Sequence, residues 1–139
     1  MNYRLSCAAN RVLGKNCYVL ELNGRRVSGK VFKFEGDNIK SNVLEVVRQG
    51  INLARTYVKH EDVLFIEIQN VHLCEWLNGQ KEYSGYEDGL DKVFEILEST
   101  DCRYKFTFIR KPYAMSYLET HELTTIQGSS FASIMEELG

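Results

Sequence analysis

Three glutamates in this 139-residue chain sit inside otherwise apolar patterns, where a carboxylate has to do something specific. Glu21 falls in Cys17 to Leu22, Glu45 lies among the apolar repeats from Val43 onward, and Glu67 interrupts Val63 to Ile68. A charge within an apolar strand must pair, bind a metal or shift its pKa. Glu67 poses the question most sharply. Its plain alternative is a strand-end residue paired with a lysine or reaching solvent. Glu119 and Glu122 flank His121, which could carry protons in a cleft or simply sit exposed on a helix.

Other chemistry-bearing residues are scattered. Cys7, Cys17, Cys74 and Cys102 form no CxxC pair, and His72 with Cys74 would point to different faces of a helix. That spacing argues against a zinc site. Cys7 as a nucleophile has no supporting local signature, and free cysteine is commonly a small buried hydrophobe. The chain has no P-loop, no dinucleotide-binding glycine pattern, no HExxH and no nucleophile elbow.

Basic residues gather in two places. Arg25, Arg26, Lys30 and Lys33 form one group, and Arg103, Lys105, Arg110 and Lys111 the other. Presented on one side, they could contact phosphates, with Phe32, Phe34, Tyr104 and Tyr113 nearby as stacking platforms. The alternative is a solvated strand face whose aromatics point inward. Trp76, Tyr83 and Tyr86 make a further candidate interface, since Trp and Tyr are favoured anchors. Net charge is -2, which argues against a protein devoted to coating phosphate backbones.

These residues need elements to position them. Tyr3–Ala9 and Cys17–Leu22 read as strands, and Asn23-Gly24 is a two-residue hairpin signal because a type I′ turn needs positive φ twice. The return strand is Arg26 to Phe34, with Ser28, Lys30, Phe32 and Phe34 on one side. A helix is expected from Asn42 to Lys59, Asn42 and Glu45 opening it as a capping box. Val63–Ile68 reads as a strand buried on both faces. Asn70 caps a short helix, Val71–Leu77, and a loop over 80–86 leads to a helix over Glu87–Ser99. Arg103–Ile109 is a fifth strand. Ser116–Thr124 reads as helical, and Ser129 or Ser130 caps an amphipathic helix carrying Phe131, Ile134, Met135 and Leu138.

This order of elements resembles the ribonuclease H-like superfamily, from residue 3 to about 124. Ser-Asn-Val-Leu-Glu, residues 41–45, is similar to the family's helix that supplies a metal-binding glutamate, here Glu45. Val-Leu-Phe-Ile-Glu-Ile-Gln-Asn-Val, residues 63–71, is similar to the strand whose end supplies an aspartate; Gln69 stands there. For the family's first-strand aspartate the candidates are Ser6 and Cys7, and for its last acid Glu119 or Glu122. The resemblance implies a mixed five-stranded sheet flanked by helices and a degenerate site at Cys7, Glu45 and Gln69. Two-metal hydrolysis needs carboxylates converging on ions about 3.5–4 Å apart. Magnesium is poorly served by a thiol or an amide.

The expectation is therefore a non-catalytic binding domain, residues 1–124, with residues 125–139 as a helix packed on it or on a partner. Its role would be accessory or regulatory, recognising a protein, a nucleic acid or a complex of both, with no cofactor. A viral or mobile-element inhibitor could look like this. One alternative is a nuclease using Glu45, Glu67 and Glu122 with Mg²⁺ or Mn²⁺, in which Glu45 is more than a first-turn acid favouring the helix dipole. Another is a structural or oligomerisation protein. Length and composition fit one soluble domain, and the lack of a signal-peptide core or apolar 20-residue run points to the cytoplasm and reduced thiols.

Overall fold

The computed structural model describes residues 1–79 and 85–127, with side chains through residue 125. Its elements run β1 (Asn2–Asn10), β2 (Lys15–Leu22), β3 (Arg25–Lys33), α1 (Ile39–Ala54), β4 (Val63–Ile68), α2 (Val71–Leu77), α3 (Glu87–Glu98), β5 (Arg103–Phe108), α4 (Tyr113–Thr120) and β6 (Thr124–Gln127). The strands form one mixed sheet in the order β5-β4-β1-β2-β3-β6. β1, β2 and β3 are antiparallel neighbours, while β4 and β5 run parallel to β1. The expected α/β architecture stands, with a sixth strand added.

The hairpin turn is as read: Asn23 has φ 51 and Gly24 has φ 80. Asn70 caps α2 by accepting from the Leu73 amide. Below α1 and α3 the sheet presents Leu5, Leu20, Leu22, Leu64, Ile66 and Ile68, which join Val43, Val47, Ile51, Leu90 and Val93 in one core. Gly50 lets α1 seat closely, since a Cβ there would lie 3.0 Å from Leu5 Cδ2. On the opposite face α4 covers β1 and β2 through a smaller cluster of Ala8, Cys17, Val19, Val31, Ala114, Tyr117 and Leu118. No helix among the described residues is long and apolar enough to cross a membrane.

Several boundaries move, each for a physical reason. α1 starts at Ile39 because Asn38, not Asn42, is the cap, its side chain accepting from the Ser41 amide. Asn42 is instead a buried hub: it accepts from Asn16 Nδ2 and the Glu35 amide and donates to the Glu35 and Asn38 carbonyls. Glu45 consequently lies in the second turn, beyond a first-turn position. β4 is buried on one face only; Phe65, on the other, is 36% exposed.

α4 starts at Tyr113, following Pro112, whose φ of -66 prepares the turn. It ends at Thr120, and β-branched Thr124 and Thr125 join a strand on β3 instead of continuing it. That strand carries the sheet to Gln127, past the boundary expected at residue 124. The helix read over 131–138 and Tyr83 lie outside the described residues.

Candidate functional site

The position where the resemblance places metal-binding groups is the end of β1 and β4. There Gln69 lies beside Ala9 and extends the parallel ladder with its side chain. Its Oε1 accepts from the Ala9 amide at 2.6 Å, and its Nε2 donates to the Ala9 carbonyl at 3.0 Å. An aspartate is shorter and, ionised, has no N–H to donate, so it could not make both bonds. The amide is a clamp for the β1 backbone.

Cys7 is fully buried in the core under α1, and burial pushes its thiol well above the usual range. A thiol so placed is neither nucleophile nor ligand. Ser6 points to the other face, where its hydroxyl accepts from the Ala114 amide at 2.9 Å. Glu45 is held by Arg48 and by Gln49, and the Arg48 hydrogen bonds keep its carboxyl below the ordinary range. Glu122 is exposed beyond α4, and Glu119 pairs with Lys111 at 3.7 Å.

Glu67 lies on the α4 face, opposite the face covered by α1. Its register partner there is Ser6, and Arg4 Nε lies 4.0 Å from its Oε1. Burial pushes its carboxyl up, opposed by Arg4 and reinforced by Glu21. Arg4 is committed mainly to Glu21, reaching both carboxylate oxygens at 2.9 and 2.8 Å. Glu45, Glu67 and Glu122 therefore do not converge. Among the described residues no three His, Cys, Asp or Glu side chains could hold one metal ion. This donor set does not fit a divalent metal ion.

The two basic groups are also separated. β3 and β5 stand four strand spacings apart, about 19 Å at the usual interval between strands. Lys105, Arg103, Arg110 and Lys111 are exposed at the β5 side, and Arg25, Lys30 and Lys33 at the hairpin side. Trp76 and Tyr86 do meet, with ring centroids 5.8 Å apart and Lys40 Nζ near both rings.

Arg26 goes elsewhere, because the β2–β3 ladder slips at Leu20/Glu21. Leu20 pairs with Ser28 and Glu21 with Arg26, which leaves Val27 as an extra residue packed into the core under α1. A regular ladder would set Arg26 opposite Leu22, facing that core. The bulge turns it to the α4 face, where it donates to Tyr117 Oη at 3.2 Å. Tyr117 in turn stacks on His121, centroids 3.7 Å apart and planes within 11°. The His121 Nδ1–H donates to the Tyr117 carbonyl at 2.9 Å, which holds the ring against the end of α4.

Sequence reasoning missed Arg26 with Tyr117, the Asn16–Asn42 hub and the Ser6 cap. Tyr113, Tyr117 and His121 at intervals of four were a visible signal; the bulge that brings Arg26 to them was not.

No protein-family model matches this chain, and no curated protein matches it in sequence. Solved structures do. The N-terminal RNase H domain of Rv2228c from Mycobacterium tuberculosis, solved as a maltose-binding-protein fusion, superposes with TM-score 0.64 at 8% identity, over 78% of this chain and 81% of that one. RNase H1 from the halophilic archaeon Halobacterium salinarum gives 0.58 at 12% identity, over 86% and 90%. LC11-RNase H1, solved in complex with an RNA/DNA hybrid, gives 0.60 at 10% identity, over 78% and 83%. Identities this low speak to architecture alone. The chain has a ribonuclease H-like fold.

Proposed function

We propose that this chain is a non-catalytic binding domain on a ribonuclease H-like fold, and that nucleic acid is its first partner class. The observation that carries the reading is the Gln69 amide, bonded through both its ends to the Ala9 peptide. Cys7 is a buried thiol and Glu45 is already paired, so the charge concentration that two-metal hydrolysis exploits is missing. Exposed arginines and lysines on both sides of the sheet supply phosphate contacts despite the net charge of -2. One structural neighbour was solved holding an RNA/DNA hybrid, a ligand of the same class. An accessory or regulatory role follows, and an inhibitor encoded by a virus or mobile element is one form it could take.

The test is fluorescence anisotropy with labelled single-stranded RNA, single-stranded DNA and hybrid duplex, across a salt series with and without Mn²⁺. Expected is binding that weakens as salt rises, with intact ligand recovered throughout. Mn²⁺-dependent cleavage that disappears in Glu45→Ala would restore the nuclease reading. A flat trace with every ligand would leave a protein partner as the answer.

A further inference from the structure

The groove between α4 and the β2–β3 hairpin encloses about 550 Å³ and is lined by Arg4, Glu21, Arg26, Tyr113, Tyr117 and His121, with the Ser116 and Thr120 hydroxyls at its rim. It lies on the face of the sheet opposite Glu45. Three features make it more than a gap beside a short helix.

Tyr113 and Tyr117 stand at i and i+4 on α4, and His121, the extended residue that ends the helix, stacks its ring on Tyr117, so the three rings form one ladder. Tyr113 and Tyr117 centroids are 6.2 Å apart and tilted by 59°, and Tyr117 and His121 stack at 3.7 Å. The two outer rings are exposed, Tyr113 at 42%. The ladder therefore offers ring surface at both ends.

Arg26 is half-buried and sits 5.5 Å from the centre of the Tyr117 ring. A guanidinium has five N–H donors, and among the described residues one goes to Tyr117 Oη. It faces this groove only because the chain inserts Val27 as a bulge. Meanwhile both oxygens of the Glu21 carboxylate on the floor accept from Arg4 Nη2, so Arg4 and not Arg26 is its hydrogen-bond partner.

A fixed cation beside exposed ring faces and hydroxyls is the equipment for a phosphate joined to a planar ring. We propose that this groove binds a nucleotide unit of a single strand, its base on the Tyr113 ring and its phosphate on Arg26 with the Ser116 hydroxyl. The proposal deepens the nucleic-acid reading above and rests on it. A phosphopeptide would use Arg26 but has no need of a ladder with two exposed ends. Stacking of this kind tolerates any base, so little sequence preference is expected.

The test uses the whole chain with a fluorescein-labelled ten-nucleotide oligouridine, an oligothymidine of the same length and a phosphotyrosine peptide. Tyr113→Ala should weaken oligonucleotide binding by about fivefold or more, the effect of losing one stacked base. Tyr113→Trp should keep it, because a ring face is what matters. Arg26→Gln should weaken binding and lower the salt slope by about one. Thermal melting of each variant checks that the fold is intact.

Unchanged affinity in both Tyr113→Ala and Arg26→Gln, with the oligonucleotide still bound, would overturn the groove while leaving the nucleic-acid reading standing. Absence of binding to either oligonucleotide would overturn both. Equal affinity for the phosphotyrosine peptide would overturn the nucleotide and leave a phosphorylated aromatic side chain as the ligand.

Discussion

Under α1 the sheet is paved with Leu5, Leu20, Leu22, Leu64 and Ile66, all fully buried; under α4 it presents Ala8, Cys17, Val19 and Val31 beside Arg4, Ser6 and Glu21. The first face holds its helices by apolar area, at roughly 25 cal/mol per Å² removed from water. The second holds an eight-residue helix whose N-cap position, Pro112, offers no side-chain hydrogen bond. Ser6 of β1 accepts from its second amide, and Lys15 of β2 donates to the Leu118 and His121 carbonyls at its other end. Here the sheet supplies the caps that the helix lacks. The face built from directed polar contacts leaves a groove of about 550 Å³ between its helix and the sheet.

That contrast can be broken most severely on the α1 side. Leu20→Ala should cost about 2–5 kcal/mol in denaturant unfolding, the range for emptying a full core site. A loss below 1 kcal/mol would mean that this face is not the main source of stability. Gly50→Val should cost about 1–3 kcal/mol by overpacking, as the new side chain meets Leu5 and the Tyr18 Cβ at 3.3 Å. Gly50→Ala is the milder control.

On the α4 side the effects are smaller and local. Ser6→Ala should cost about 1 kcal/mol, typical of a lost cap. Its signature is faster hydrogen exchange at Ala114 and its neighbours, with the amides of α1 unaffected. Equal acceleration in both helices would show that the two faces unfold as one unit.

The smallest effect carries a sign. Burial raises the Glu67 carboxyl in the folded state, so its stabilising form is the protonated one. That contribution is present below the unfolded pKa and is lost as pH rises through the folded pKa. Glu67→Gln should therefore be more stable than the parent at pH 7, by on the order of 0.5 kcal/mol given partial exposure and the nearby Arg4. The difference should vanish at pH 3. A variant less stable at pH 7 would show that the Arg4 attraction outweighs desolvation.

Much of the α1 face was legible in the chain. Val63–Ile68, Asn23-Gly24 and the Asn70 cap of α2 rest on periodicity, positive φ and a side-chain bond three residues away, all local in sequence. The cap of α1 was misplaced by four residues since both Asn38 and Asn42 can cap. Only the partners of Asn42, at Asn16 and Glu35, decide between them. The candidate site was half legible. Gln69 could be seen as an amide where a carboxylate was wanted, but its bonds to Ala9, 60 residues away, could not.

The residues alone determined the element order through β5, the apolar stripe of α1 and the amide at Gln69, because side-chain period and donor chemistry are properties of neighbours along the chain. Tertiary structure decided which face each charge occupies. It set Glu67 opposite Glu45, separated the two basic groups across the width of the sheet and turned Arg26 toward Tyr117 through one unpaired residue. Strand order and a bulge depend on which strand lies alongside, and no local pattern specifies that.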